Sequence, residues 1–207
     1  MVEDAATEQL LQRAGEGDQS ALGQLLEQQR QRLRRMVAFR LDPRLSARLD
    51  ASDVVQEALA EAAEKMADYC RRRPLPFYPW LRQIAWQRLV HQHERHVWTA
   101  KRSVNREREN NWPLSEPSAM ELAQQLHART SGPSTVMVRK EQTEKLRVAL
   151  AQLRPRDREV LILKYIEQLS GHEIAAVLGI NVDAVYARHV RALERIRHAV
   201  DVPPKES

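Results

Sequence analysis

The stretch Leu169-Ser-Gly-His-Glu-Ile-Ala-Ala-Val-Leu-Gly-Ile-Asn-Val-Asp-Ala-Val185 constrains the fold more tightly than any other part of the chain. Ser170 and Glu173 stand three residues apart, the spacing of a capping box, in which each side chain satisfies a backbone N–H of the other. That spacing predicts a helix starting at Gly171. Ile174, Val177 and Leu178 give the helix an apolar face. Gly179 falls where it must end and where the backbone needs a positive φ. Asn181 suits the cap of a following helix that holds Val185. Ala175 is small enough to let two helices cross closely, and Val185 points back into the crossing. A plain αα-hairpin in a bundle is the bland alternative. Cap, small residue, turn glycine and returning apolar residue in register instead specify a helix-turn-helix, whose second helix lies in the major groove of duplex DNA.

With Ser170 and Asn181 at the ends of the motif, the second helix offers Asp183, Tyr186, Arg188, His189 and Arg191 on its first turns. Arg195 and Arg197 follow, better placed for phosphates. Arginine reads guanine edges or holds phosphate, and plain solvation of any one of them stays open at this point.

Charge is distributed unevenly. Residues 49–69 carry Asp50, Asp53, Glu57, Glu61, Glu64 and Asp68 against Lys65, a balance of −5. Residues 81–108 carry Arg82, Arg88, Arg95, Lys101, Arg102, Arg106 and Arg108 against Glu94 and Glu107, a balance of +5. The whole chain stands at +5 with a pI near 9.6, which favours a polyanionic partner. On a helix at ~100° per residue, Asp53, Glu57, Glu61, Glu64 and Asp68 fall within about 80° of one another. Val55, Leu59, Ala62, Met66 and Tyr69 lie opposite, as core. Like charges at i,i+4 repel, and a solvated face would mix signs, so the stripe favours a basic protein partner.

Nearly all of the 207 residues read as helix. Leu10, Leu11 and Ala14 suggest a first helix stopped by Gly15-Glu-Gly17. Asp18 caps a second, which Asp42-Pro43 breaks. Asp50 starts a third, ended by Arg71-Arg-Arg-Pro-Leu-Pro76, and Pro79 precedes a fourth over about 80–98. Residues 99–135 are polar and carry Pro113, Pro117, Gly132 and Pro133; they read as a linker with one helical piece near 118–128. A second helical block follows, with Leu146, Ala149, Leu150 and Leu153 leading to Pro155. The expected fold is all-α: two small helical domains, residues 1–98 and 136–207, joined by a flexible linker.

Six of the ten aromatic residues lie between Phe77 and Trp112, inside the basic zone. Basic residues interleaved with aromatics suit single-stranded nucleic acid, whose unstacked bases lie on aromatic rings. Trp80 reads as core; Trp86 is open between core and base stacking. His91, His93 and His96 invite a metal reading, but no Cys or further His completes a site, and phosphate or base contacts fit as well. With one cysteine, Cys70, no internal disulfide forms. There is no phosphate loop, nucleophile motif or paired-carboxylate constellation. No cofactor, no enzymatic activity and no membrane insertion are expected, and the acidic start without an apolar signal core predicts a cytoplasmic protein.

Asp50-Ala-Ser-Asp-Val-Val-Gln-Glu57 resembles the Asp-x-x-Asp-Leu-Val-Gln-Glu signature of bacterial RNA polymerase sigma factors. Phe77-Tyr-Pro-Trp-Leu-Arg-Gln-Ile-Ala85 resembles the Phe-x-x-Trp-Leu-x-x-Ile-Ala that follows it, and Leu153 to Arg197 resembles the promoter-reading end of the same family. Order and spacing are similar to the two-domain extracytoplasmic-function (ECF) class. The resemblance implies a factor that binds polymerase core through Asp53, Gln56, Glu57 and Glu61. It implies that Arg82, Trp86, Arg88, His91, Gln92, His93, Arg95, His96, Lys101 and Arg102 open and read the minus-10 element, as melted single strand. It implies that the helix-turn-helix reads the minus-35 duplex through Tyr186, Arg188 and Arg191, and that an anti-sigma factor is a further partner. Asp183 and Tyr186 stand where the family often has Gly and Lys. His189 replaces a usual core leucine, so either Val190 repacks or the histidine is partly exposed. A stand-alone helix-turn-helix regulator with a helical N-terminal domain is the alternative; it gives the acidic stripe no purpose.

Overall fold

The computed structural model describes residues 5–42, 49–97, 114–130 and 136–201. The chain divides into two compact units, Met1–Val104 and Asn105–Ser207. Among the described residues the regular structure is helical throughout, as the sequence pattern predicts.

The first unit holds α1 (Ala5–Gly15), α2 (Gln19–Arg40), α3 (Ala51–Arg72) and α4 (Phe77–Val97). Asp18 caps α2: its carboxylate accepts from the Ser20 and Ala21 N–H groups at 2.9 and 3.0 Å and from the Arg13 guanidinium at 2.6 Å. The Ala21 N–H and Arg13 hold that carboxyl below its usual range. Helix α1 ends at Gly15, at the Gly15-Glu-Gly17 stop that the sequence suggests; a Cβ on Gly15 would stand 3.3 Å from the Cys70 Cβ, so the glycine also lets α1 approach α3. Asp50 caps α3 by accepting from the Ser52 N–H at 2.8 Å.

Helix α4 begins at Phe77, earlier than expected. Pro79 lies inside its first turn, where a missing N–H costs nothing because the first N–H groups of a helix have no intrahelical partner. The early start brings Phe77 and Trp80 onto Tyr69 of α3. Tyr69 and Trp80 stack with centroids 4.3 Å apart, and the Tyr69 hydroxyl donates to the Leu75 carbonyl. Leu11, Leu25, Leu33, Met36, Phe77, Leu81 and Leu89 are fully buried and form the core of this unit.

The second unit holds α5 (Glu116–Thr130), α6 (Val136–Gln152), α7 (Pro155–Leu161), a π-helical turn (Ile162–Ile166), α8 (Gly171–Leu178) and α9 (Val182–Asp201). The helical piece expected near 118–128 exists, as α5, but it is not linker. It packs along α6 and against the π turn. Leu122, Ala123 and Leu126 are buried, and Arg147 of α6 pairs with Glu116 at 2.5 Å. The boundary between the units therefore falls at 104/105, and the second unit starts well before residue 136. Pro155 takes the first turn of α7. The π turn was not legible in the sequence: the Glu167 N–H reaches back five residues to the Ile162 carbonyl, and Gln168 has φ 57°.

Candidate functional site

The helix-turn-helix forms as its sequence pattern predicts. Ser170 Oγ accepts from the Glu173 N–H at 3.2 Å, and the Glu173 carboxylate accepts from the Ser170 N–H at 2.8 Å. Gly179 has φ 62°, and the Ile180 N–H closes the end of α8 on the Ala175 carbonyl. Asn181 starts α9 by accepting from the Ala184 N–H at 2.7 Å. Ile174, Ala175 and Val185 are buried in the crossing. Asp183, Tyr186 and Arg191 of α9 are exposed and Arg188 is half-buried.

Two residues expected on the DNA face are committed elsewhere. His189 is half-buried, with Nε2 3.0 Å from the Tyr165 hydroxyl of the π turn and the two rings stacked 5.8 Å apart. Of the two alternatives at this position the second holds: the histidine is partly exposed, and it has a polar partner. Burial and the nearby Lys164 charge hold its pKa below the ordinary value. The Arg129 guanidinium of α5 lies 5.5 Å from the Tyr165 ring centroid. Arg195 donates to Asp157 of α7 at 2.6 Å. Asp157 is 8% exposed, so Arg195 neutralises a buried carboxylate, which competes with the phosphate contact expected of it.

In the first unit the acidic stripe is present but divided. Asp53 and Gln56 are exposed, and Asp53 makes no ion pair among the described residues. Glu57 accepts from the Gln92 amide at 3.2 Å and stands 4.0 Å from Arg88. Glu61 is largely covered and takes both Lys65 and Arg88 at 2.5 Å. Burial pushes its carboxyl up, but the hydrogen bonds and charges of Lys65 and Arg88 outweigh that and hold it below the usual range. Asp68 pairs with Arg71 and Arg72. Glu61 is thus occupied within the unit rather than offered to a partner, and Arg88 and Gln92 of α4 are the groups that hold it and Glu57.

Two further expectations on α4 are corrected. Trp86 is 4% exposed, with the buried Arg40 guanidinium 5.3 Å from its ring centroid. It belongs to the core and offers no face to a base. Arg82 is 8% exposed and equally buried. The helix has apolar or aliphatic surface on more than one side because α2 and α3 both pack on it, so a stripe read on one face undercounts its core. His93 is half-buried beside Asp42 at 3.7 Å, and His91 is exposed. The side chains of Arg95 and His96, and residues Trp98, Lys101 and Arg102, lie outside the described residues. Among the described residues no group of His, Cys, Asp and Glu is arranged to hold a metal, and no helix is long and apolar enough to cross a membrane.

Residues 26–99 match the family model for sigma-70 region 2, and residues 143–196 match that for sigma-70 region 4. The chain belongs to the sigma-70 family of RNA polymerase sigma factors, in its ECF class. It is 27% identical over 184 residues to the ECF RNA polymerase sigma factor SigD of Mycobacterium tuberculosis, spanning 89% of this chain and 79% of that one. It is 28% identical over 155 residues to the probable RNA polymerase sigma factor RfaY of Xanthomonas campestris, spanning 72% of this chain and 33% of that one. Its fold is similar to that of CnrH solved in complex with the cytosolic domain of CnrY, at 24% identity and TM-score 0.52 over 95% of this chain and 97% of the other. As a sigma factor it associates with polymerase core and directs promoter-specific initiation; the family is not a class of enzymes. The region 2 match takes in the acidic stripe and α4, and the region 4 match takes in the helix-turn-helix. Helix α5 lies outside both matches, although it is built into the core of the second unit.

Proposed function

We propose that this sigma factor, acting in the cytoplasm, works by two-point tethering. The first unit holds polymerase core and the melted minus-10 strand, and the second holds the minus-35 duplex. One chain joining the two raises the effective concentration of each contact once the other is made. The docking surface for polymerase is centred on Asp53 and Gln56, with Glu57 at its edge. The observation that carries this is the division of the acidic stripe. Glu61 and Asp68 are neutralised within the unit while Asp53 stays exposed and without an ion pair among the described residues. An exposed carboxylate beside braced ones suits a basic partner surface, where complementary charge speeds encounter and like charge costs several kcal/mol.

The strand-reading set is His91 with Arg95, His96, Lys101 and Arg102, supplying phosphate contacts and faces for extruded bases. Arg88 and Gln92 brace Glu57 and Glu61 on α3 and thereby link the docking helix to the strand-reading helix. Asp183, Tyr186, Arg188 and Arg191 read the minus-35 duplex. An anti-sigma factor completes the set of partners; the complex of the similarly folded CnrH with the cytosolic domain of CnrY supports this.

The test is capture of polymerase core by the full chain, followed by run-off transcription, with Asp53→Lys and Glu57→Lys combined. Core capture and transcription are lost while helical content is retained. Undiminished capture removes the stripe from the mechanism, and promoter binding without polymerase would favour a stand-alone regulator.

A further inference from the structure

Three large hydrophobic side chains are exposed among the described residues: Val148 on α6, and Val182 and Tyr186 on α9. Val148 stands apart from the helix-turn-helix. Val182 and Tyr186 are 37% and 70% exposed and lie at i and i+4, one turn apart on the same side of the helix. They sit immediately after the Asn181 cap, at the end of α9 that a helix-turn-helix presents to the major groove. A lone exposed hydrophobic residue is ordinary, but two side by side at a recognition tip are surface kept for a partner. Val182 Cγ1 lies 3.6 Å from where a Cβ on Gly171 would stand, so the start of α8 runs beside the valine.

The neighbouring charges select the occupant. Asp183 is exposed between the two apolar residues, and its carboxylate repels phosphate. The sugar-phosphate backbone is therefore not what covers this tip. Arg188 and Arg191 follow on the next turns, make no ion pair among the described residues, and supply the phosphate attraction from beside the tip. An apolar pair carrying a carboxylate and flanked by arginines fits base edges. The thymine 5-methyl is the apolar group that the major groove offers.

We infer that Val182 and Tyr186 form a thymine-reading tip, so that the minus-35 duplex carries thymine against the first turn of α9 and its 5-methyl group is part of the recognition. This rests on the reading of α9 as the duplex-reading helix and adds a specificity residue, Val182, to it.

The test uses holoenzyme assembled from the full chain and polymerase core. Promoter-length duplexes with randomised sequence are synthesised once with thymine and once with uracil, which differs by that methyl group. Holoenzyme selects from both pools, and the selected duplexes are sequenced and their affinities measured. Wild-type holoenzyme selects an upstream block with fixed thymine positions from the first pool and loses that preference in the second. Affinity falls about fourfold per thymine contacted, the value of one buried methyl group. Val182→Ala with Tyr186→Ala, both at exposed helical positions, selects the same upstream block from either pool and responds to uracil in the minus-10 block as wild type does. An identical upstream block from both pools with wild type overturns the thymine reading and leaves α9 as the duplex reader. Absence of any upstream block overturns both.

Discussion

Replacing Arg195 by Gln separates two roles that its sequence position leaves open. If it is a phosphate contact, its loss weakens promoter binding and lowers the slope of log affinity against log salt by ~1. In the structure its guanidinium instead reaches Asp157 at 2.6 Å, with Asp157 8% and Arg195 42% exposed. Breaking a fully buried pair costs ~3–5 kcal/mol and an exposed one ~0–1. One buried and one half-exposed partner place the loss between these, at about 2 kcal/mol of unit stability. Asp157 sits in the first turn of α7, whose N-terminus returns ~0.3–1 kcal/mol to the orphaned carboxylate. The assay is native-state hydrogen exchange of α7–α9 amides in the full chain, for Arg195→Gln, Asp157→Asn and the double variant, with promoter affinity of holoenzyme measured over a salt series. The expected coupling energy is ~1–2 kcal/mol with an unchanged salt slope. Coupling below ~0.5 kcal/mol together with a slope reduced by ~1 would refute the structural role and restore the phosphate contact.

His189 has a folded pKa below its ordinary value, so the unfolded chain binds the proton more tightly; its contribution is full above about pH 6.5 and is lost as pH falls through the lower folded value. His189→Leu should flatten the loss of second-unit stability between pH 7.5 and pH 5, read by thermal melting, and an unchanged pH dependence rejects the role. Trp86→Ala should cost ~3–5 kcal/mol as a core truncation, while Trp86→Phe should keep most of the stability and leave binding of minus-10 single strands intact in competition assays. A fragment of residues 136–207 should be markedly less stable to urea than one of 114–207, because it lacks the Leu122, Ala123 and Leu126 face of α5; equal midpoints would make α5 a dispensable addition.

What the sequence determines by itself is local. Capping at Asp18, Asp50, Ser170 and Asn181, and the positive φ of Gly179, depend on atoms within a few residues, so spacing alone reveals them. The apolar stripe of α3 is legible for the same reason: Val55, Leu59, Ala62, Met66 and Tyr69 share one face, and all are buried. Three ordered motifs over most of the chain carry the family in the same local way. What tertiary structure decides is which polar and aromatic groups remain available. Glu61 reads as one more outward carboxylate until α4 brings Arg88 to it across 27 residues. Arg195 reads as a phosphate contact until α7 brings Asp157 across 38. Trp86 reads equally as core or platform until both α2 and α3 are seen to pack on α4. Helix α5 reads as linker because its short apolar face gains meaning when α6 and the π turn cover it. Periodicity reports where a side chain points on its own helix; charge pairing and burial depend on what a distant segment sets against it, and folding alone supplies that.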